Sequence, residues 1–326
     1  MKNITKLLGL LLLFSAFAMT VSAPVQAKKD FTVSPSNKPY KNKYVKNPVY
    51  NKYTKHYLTL RSYLDEMSKK GGGTLTIKKG TYNISNALLV PSNVKIVLQD
   101  GVVMNKIGNS HTKKLKAGHV MFECVRSSRI NKKGVVGKYN GEKNIQIIGE
   151  GTVIMNLSGC NKSEAIRVPH CKNVLIDNIT FTNLRDGHFI EVTASKDVTV
   201  QNCTFKNNLS GERCAINLDT PDKVTNGFNG KYSKFDKTPV LNVTIQNCGF
   251  HNLHRGIDTH RFSPNKYHTN VQILGCTFKD SVQSPIMMLN WKNAVIRGNT
   301  IDTVKGWNTN NIQKEKFAIY MRGGVI

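Results

Sequence analysis

NVLIDNITF (173–181), DVTVQNCTF (197–205), NVTIQNCGF (242–250), NVQILGCTF (270–278) and NAVIRGNTI (293–301) are five versions of one phrase. Their last residues fall at 181, 205, 250, 278 and 301, so the basic step is about two dozen residues, interrupted by one long insertion. Apolar residues alternate inside each phrase: Val174, Ile176 and Ile179, then Val198, Val200 and Cys203, then Val243, Ile245 and Cys248. Alternation of period two is the strand signal, and the Val, Ile and Phe content reinforces it. A repeat of this length built on strands implies a solenoid of stacked β-coils, each burying its apolar face only against its neighbours.

A second strand accompanies each phrase. AIRVPH (165–170) precedes the first, followed by FIEVTA (189–194), AINLDT (215–220), GIDTHR (256–261), IMMLNW (286–291) and AIYMRG (318–323). Aligning Ile166, Ile190, Ile216, Ile257, Met287 and Ile319 as inward residues sends Arg167, Glu191, Asn217, Asp258, Met288 and Tyr320 outward in one column. Pro169, Thr193, Asp219, His260, Asn290 and Arg322 fill the next column. Cys203, Cys248 and Cys276 share one repeat position and are expected as a buried ladder, since no CxxC or Cys/His ligand spacing accompanies them. The cysteines number seven, which excludes a complete disulfide framework within one chain. Asn178, Asn202 and Asn247 form a further column, expected as a hydrogen-bonded amide ladder at a turn.

The first 27 residues have the form of a secretory signal peptide: Lys2 and Lys6, an apolar stretch, then a small-residue cleavage site at Val25-Gln26-Ala27. No later apolar span is long enough to cross a membrane, so a secreted or cell-wall-associated protein is expected. Lys and Arg number 47 against 20 acids, a net charge of +27 that favours polyanionic partners. Secretion and the lack of zinc-finger, RRM or KH patterns turn that preference from nucleic acid toward acidic polysaccharide or cell-wall polymer. Residues 28–55 interleave lysines with tyrosines and are expected to be extended. Residues 56–70 place Leu58, Leu60, Tyr63, Leu64 and Met67 on one helical face, expected as a helix covering the open end of the first coil. The solenoid then occupies 71–326, and its last strand ends without a cap, as expected of a truncated product or an edge that meets a partner. No phosphate loop, Rossmann fingerprint, serine-nucleophile elbow or HExxH motif is present.

GGGTLTIKKGTYNISNALLVPSNVKIVLQDGVVM (71–104) resembles the N-terminal signature of the pectate-lyase-like superfamily, in which a capping helix leads into a Gly-rich turn and the first coils. With KNIQIIGEGTVIMN (143–156) and the later phrases, the resemblance covers roughly residues 56–323. It implies an all-β fold, a right-handed parallel β-helix of about ten coils. The superfamily includes polysaccharide lyases, glycoside hydrolases, uronan epimerases, tailspikes and adhesins.

Asp219 and Asp258 lie one coil apart and two residues offset, which places their Cα atoms about 8 Å apart at about 4.8 Å per rung and 3.3 Å per residue. That separation suits an inverting acid/base pair. INLDT (216–220) is similar to the Asn-Thr-Asp element of polygalacturonase-like hydrolases, but their Asp-Asp pair, Gly-His-Gly turn and Arg-Ile-Lys element are missing. RGIDTH (255–260) resembles the Gly-Phe/Ile-Asp-Pro-His element of mannuronan C5-epimerases and related alginate lyases, with Thr259 where proline is usual. Abstraction of a uronate C5 proton needs a base and a neutralised carboxylate. Asp219, Asp258 and His260 are the candidate catalytic residues. Glu191, Asn217, Arg255, Arg261 and Arg322 are candidate substrate-binding residues, with Tyr232 and Phe235 of the 221–242 insertion as an aromatic wall. Glu191, Asn217 and Asp258 stack as hard oxygen donors that could hold Ca²⁺. The reading is a lyase or epimerase acting on an acidic polysaccharide; the alternatives are a polygalacturonase-like hydrolase and a non-catalytic wall or glycan binder.

Overall fold

The computed structural model describes residues 28–46, 49–211, 213–305 and 318–322. The expected leader, residues 1–27, lies outside the described residues. Each phrase of the repeat bends into two strands at a central residue of positive φ, Asn178, Asn202, Asn247, Gly275 or Gly298, and the accompanying strand closes the coil. Stacking these coils yields three parallel sheets. The first runs from Gly73–Ile77 through Lys172–Asp177 and Lys196–Gln201 to Trp291–Lys292. The second runs from Gly80–Ile84 to Thr300–Ile301 and the third from Leu88–Leu89 to Ile319–Arg322, each with 8 strands. Among the described residues two coils are long: Ile96 pairs with Ile147, and Val200 with Ile245.

Register keeps like residues in line up the stack. Val174, Val198, Val243 and Val271 are paired in turn on the first sheet. Phe181, Phe205, Phe250 and Phe278 do the same on the second, with ring centroids 4.9, 5.0 and 4.6 Å apart and nearly parallel planes. Cys203, Cys248 and Cys276 form the expected buried ladder, as all seven cysteines are free and buried. The Sγ–H groups of Cys203 and Cys248 donate to the carbonyls two residues earlier, at 3.1 and 3.2 Å.

Asn178, Asn202 and Asn247 turn the chain with positive φ of 54, 54 and 53°. Their amides do not bond one another: Asn178 Nδ2 donates to Gly149 O and Asn202 Nδ2 to Asp177 Oδ1. Amide ladders form elsewhere, along Asn93–Asn144–Asn173 and, on the second sheet, along Asn105–Asn156–Asn183. The fifth accompanying strand also departs from the sequence alignment. Ile286, not Met287, pairs with Ile257, so Met287 stands in the outward column and Met288 is buried. IMML offers four consecutive apolar residues, which leaves its register undetermined by alternation alone.

The helix Lys55–Lys69 covers the first coil and buries Leu60, Leu64 and Met67. The segment before it is not simply extended. Phe31–Val33 adds a strand beside Gly73–Ile77, and Asn42–Val45 makes one helical turn against the capping helix. There the Tyr44 hydroxyl donates to Asp65 (2.7 Å), and the rings of Phe31, Tyr40 and Tyr63 meet edge to face or tilted. Among the described residues no helix is long and apolar enough to cross a membrane.

Candidate functional site

Outward side chains on a solenoid sheet are ordinarily wet. On the third sheet Glu123, Arg167, Glu191, Asn217 and Asp258 are in register in one outward column, yet all five are buried. The cause is the 221–240 insertion, which folds back across the rungs. Its Phe228 and Tyr232 pack with Leu89, Val125 and Val136. Ser233 bridges Val136, the Lys234 N–H donates to Val136 O (2.7 Å), and the Tyr139 hydroxyl donates to Pro239 O (3.0 Å). Tyr232, expected as part of an exposed wall, is therefore interior: it is 1% exposed and its hydroxyl donates to Glu123 Oε1 (2.6 Å). Phe235 is half-buried with the Lys223 ammonium 5.3 Å from its ring centroid.

Arg167 centres the covered network. Its Nε and Nη2 donate to the two oxygens of Glu164 at 2.5 and 2.6 Å, and its Nη1 donates to Asn229 Oδ1 at 3.1 Å. Glu191 Oε2 lies 3.2 Å from Nε, and the guanidinium sits 5.4 Å over the Phe228 ring. Burial opposes the charge of Arg167, but the surrounding carboxyls, Glu164 foremost, outweigh it and hold the guanidinium protonated. Burial alone would raise Glu164; the bidentate contact with Arg167 overcomes it and holds that carboxyl at about 2. Burial, and then the charge of Glu164, push Glu191 well above the carboxylate range, so Glu191 is the protonated member of the pair.

Beside this network a cleft of about 120 Å³ stays open, lined among others by Lys162, Asp186, His188, Arg213, Asp219 and His260. Asp219 ends its strand on the rung below His260. Its Oδ1 accepts the Arg261 backbone N–H at 2.6 Å, but burial prevails and pushes the carboxyl well above its usual range. His260 is positioned by its own N–H, which donates to Asn217 Oδ1 (2.9 Å). Burial, then the charges of His188, Arg261, Arg213 and Arg255, lower its imidazole to about 4. Arg213 Nη1 approaches His260 Nε2 at 3.5 Å; a guanidinium only donates, so Nε2 carries a lone pair. Burial likewise lowers His188 to about 4, and its Nδ1 lies 3.2 Å from Cys214 O. The two imidazoles are 6.0 Å apart. The cleft thus presents a protonated carboxyl, neutral imidazoles and the cations Lys162, Arg167 and Arg213, with Arg213 Nε also bound to Asp186 at 2.6 Å.

The other candidates are placed differently. Asp258 is not part of the lining: it is 1% exposed and bound through Oδ2 to Arg255 Nη1 at 3.0 Å. Arg261 is exposed at the cleft rim, and Arg322 is exposed on the last described rung, beside Leu289. The column expected to hold Ca²⁺ does not fit that ion. Glu191 is taken by Arg167, Asn217 Oδ1 by the His260 N–H, and Asp258 Oδ2 by Arg255. Glu164, Arg213 and Lys162 escaped the sequence reading. Strict alternation sends Glu164 inward, but Ala165 and Ile166 are both buried in the core, so Glu164 and Arg167 emerge on one side. Extending each accompanying strand two residues toward its start reaches Glu164 and Arg213; Lys162 lies one residue further out.

Residues 122–301, more than half of the chain, match the family described as the right handed beta helix region. The chain belongs to this right-handed β-helix family. Among curated proteins, plasmin and fibronectin-binding protein A of Streptococcus pneumoniae is 26% identical over 263 residues, 72% of this chain and 35% of that protein. The β-helix chain therefore spans about a third of the length of that relative. Among solved structures, the Streptococcus pneumoniae surface adhesin PfbA is similar with a TM-score of 0.61 and 19% identity, covering 75% of this chain and 58% of that one. A 1,3-α-1,4-β-D-galactose-4-sulfate-3,6-anhydro-D-galactose-2-sulfate 4-galactohydrolase gives 0.52 at 15% identity, covering 84% and 58% of the two chains. At these identities the structural likeness concerns the β-helix itself.

Proposed function

We propose that this β-helix protein acts outside the cell on a uronate-containing polysaccharide and that its cleft moves the proton on C5 of a bound uronate. The observation that carries the reading is the neutral His260 imidazole facing the same small cleft as the protonated Asp219 carboxyl, with Arg213 against the imidazole nitrogen. A uronate carboxylate pairs with Arg213 and Lys162, which lowers the acidity barrier at C5 and frees His260 Nε2. Nε2 then takes the C5 proton. For elimination, the C5–H electrons form the C4–C5 double bond, the C4–O4 bond breaks, and Asp219 protonates the departing O4. For epimerisation, Asp219 returns a proton to the opposite face of C5.

Hydrolysis is less well served. Its second, ionised carboxylate would have to be Asp258, which is off the cleft, Glu164, whose two oxygens are held by Arg167, or Asp186, which is paired with Arg213 at 2.6 Å. A second reading, non-catalytic adhesion, is supported by the relative named for binding plasmin and fibronectin. The test is to treat polygalacturonate and alginate with the purified protein. Elimination gives the ultraviolet absorbance of an unsaturated uronate, and epimerisation gives new anomeric proton resonances with unchanged chain length. New reducing ends without absorbance would mean hydrolysis. Binding with no change in either polymer would leave the adhesin reading.

A further inference from the structure

On the first sheet, around the corner from the cleft, Lys143, Lys172 and Lys196 are paired rung to rung. Lys143 and Lys172 are exposed and Lys196 is half-buried, its ammonium 5.8 Å from the centroid of the Tyr139 ring. Parallel rungs are about 4.8 Å apart, and like charges stacked directly on neighbouring strands repel. None of the three has a carboxylate within salt-bridge distance among the described residues, although Asp197 follows Lys196 in the chain; its Oδ1 accepts from Asn242 Nδ2 at 2.9 Å. The sheet face beside them carries two carboxylates, Asp177 and Asp197, each accepting from side-chain amides, among rows of hydrogen-bonding groups. One is the Asn93–Asn144–Asn173 ladder; the next contains Gln146, Thr199, Thr244 and Gln272. At the start of the same face a groove of about 450 Å³ is lined by Lys28, Asp30, Asn93, Lys95, Asn144 and Gln146, two cations and one carboxylate among them.

We propose that this strip is a second binding surface that holds a linear polyuronate along the solenoid axis. The lysine column places one cation per rung, a spacing close to the length of one sugar in an extended chain, and the amide and hydroxyl rows face the sugar hydroxyls. The rows lack the aromatic planes on which nucleic-acid bases stack. Stacked cations with no carboxylate at salt-bridge distance cost stability in the free protein, and a polyanion relieves that cost. The inference shares the acidic-glycan reading of the cleft but does not depend on chemistry there.

The test compares the wild-type protein, the triple variant Lys143→Gln/Lys172→Gln/Lys196→Gln, the corresponding triple Lys→Arg variant, and His260→Ala, using fluorescent polygalacturonate over a salt titration. The Gln triple should bind at least about 10-fold more weakly, with a flatter salt dependence and a melting temperature equal to or above wild type. The Arg triple and His260→Ala should bind as wild type. Loss of turnover in His260→Ala with polymer binding retained separates the two sites. Wild-type affinity and salt dependence in the Gln triple overturn the proposal, as does a wild-type protein that binds no polyuronate at low salt. Equal affinity for double-stranded DNA at matched charge overturns the glycan assignment.

Discussion

At the scale of single residues, the site depends on which groups lose their charge on burial. Asp219 and Glu191 become neutral acids, whereas Glu164 stays ionised because Arg167 grips both of its oxygens. Breaking that grip should be expensive. Arg167→Met leaves the ionised Glu164 carboxylate buried without its cation and should lower stability by about 3–5 kcal/mol, read from the denaturant midpoint. His260 sets the acid limb of the proposed reaction. Its imidazole is lowered to about 4, mainly by burial, so it is a competent base above that pH and is protonated below it. Turnover of polyuronate should therefore hold from neutrality down to about pH 5 and collapse through pH 4, where an unperturbed histidine would already fail near 6.5. A profile falling near pH 6.5 would remove His260 from the role of base.

At the scale of elements, the strands are specified by their stacking partners. Phe250 lies between Phe205 and Phe278 and is fully buried, so Phe250→Ala opens a cavity that neighbouring rings cannot close. The expected cost is about 3–5 kcal/mol, measured by thermal or denaturant unfolding. These strands were legible in the sequence because one side of each is buried and alternation pins its register, as at Val198 and Val200. Legibility failed where that constraint lapses. IMML is apolar throughout, and its register slipped by one residue. Two consecutive inward residues, Ala165 and Ile166, hid Glu164 from an alternation rule. The arm at 221–240 could be seen as an insertion, but not that it would fold back to bury Tyr232 against Glu123. Its contacts join residues about a hundred positions apart and follow no repeat.

At the scale of the molecule, charge is divided between a covered, carefully neutralised site and an open basic surface within a chain of net charge +27. The response to acid is divided as well. His188, His254 and His260 are lowered to about 4 and His268 to about 3, each first by burial, so unfolding takes up protons on them as pH falls below 6.5. Asp219 and Glu191 act in the opposite sense, because their raised values favour the folded state at low pH and that benefit is lost as pH rises. His268 isolates one term: it is fully buried, and its Nδ1 accepts the Val240 N–H at 3.1 Å. His268→Asn retains an acceptor but does not titrate. Relative to this variant, the wild type should lose stability between pH 6.5 and about 3, by at most about 1.4 kcal/mol per pH unit. A pH-independent difference would contradict the buried neutral state of His268.

The central claim, proton transfer at C5 by the cleft, can be read without knowing whether elimination or epimerisation follows. Polyuronate incubated with the protein in D₂O should be followed by NMR for deuterium at C5 of the recovered polymer and for vinylic C4–H of any unsaturated product. One or both signals should appear with the wild type and fall about 10²–10⁴-fold in His260→Ala and Asp219→Asn, each still folded by circular dichroism. Neither signal from the wild type, or equal signals from all three proteins, would contradict the account.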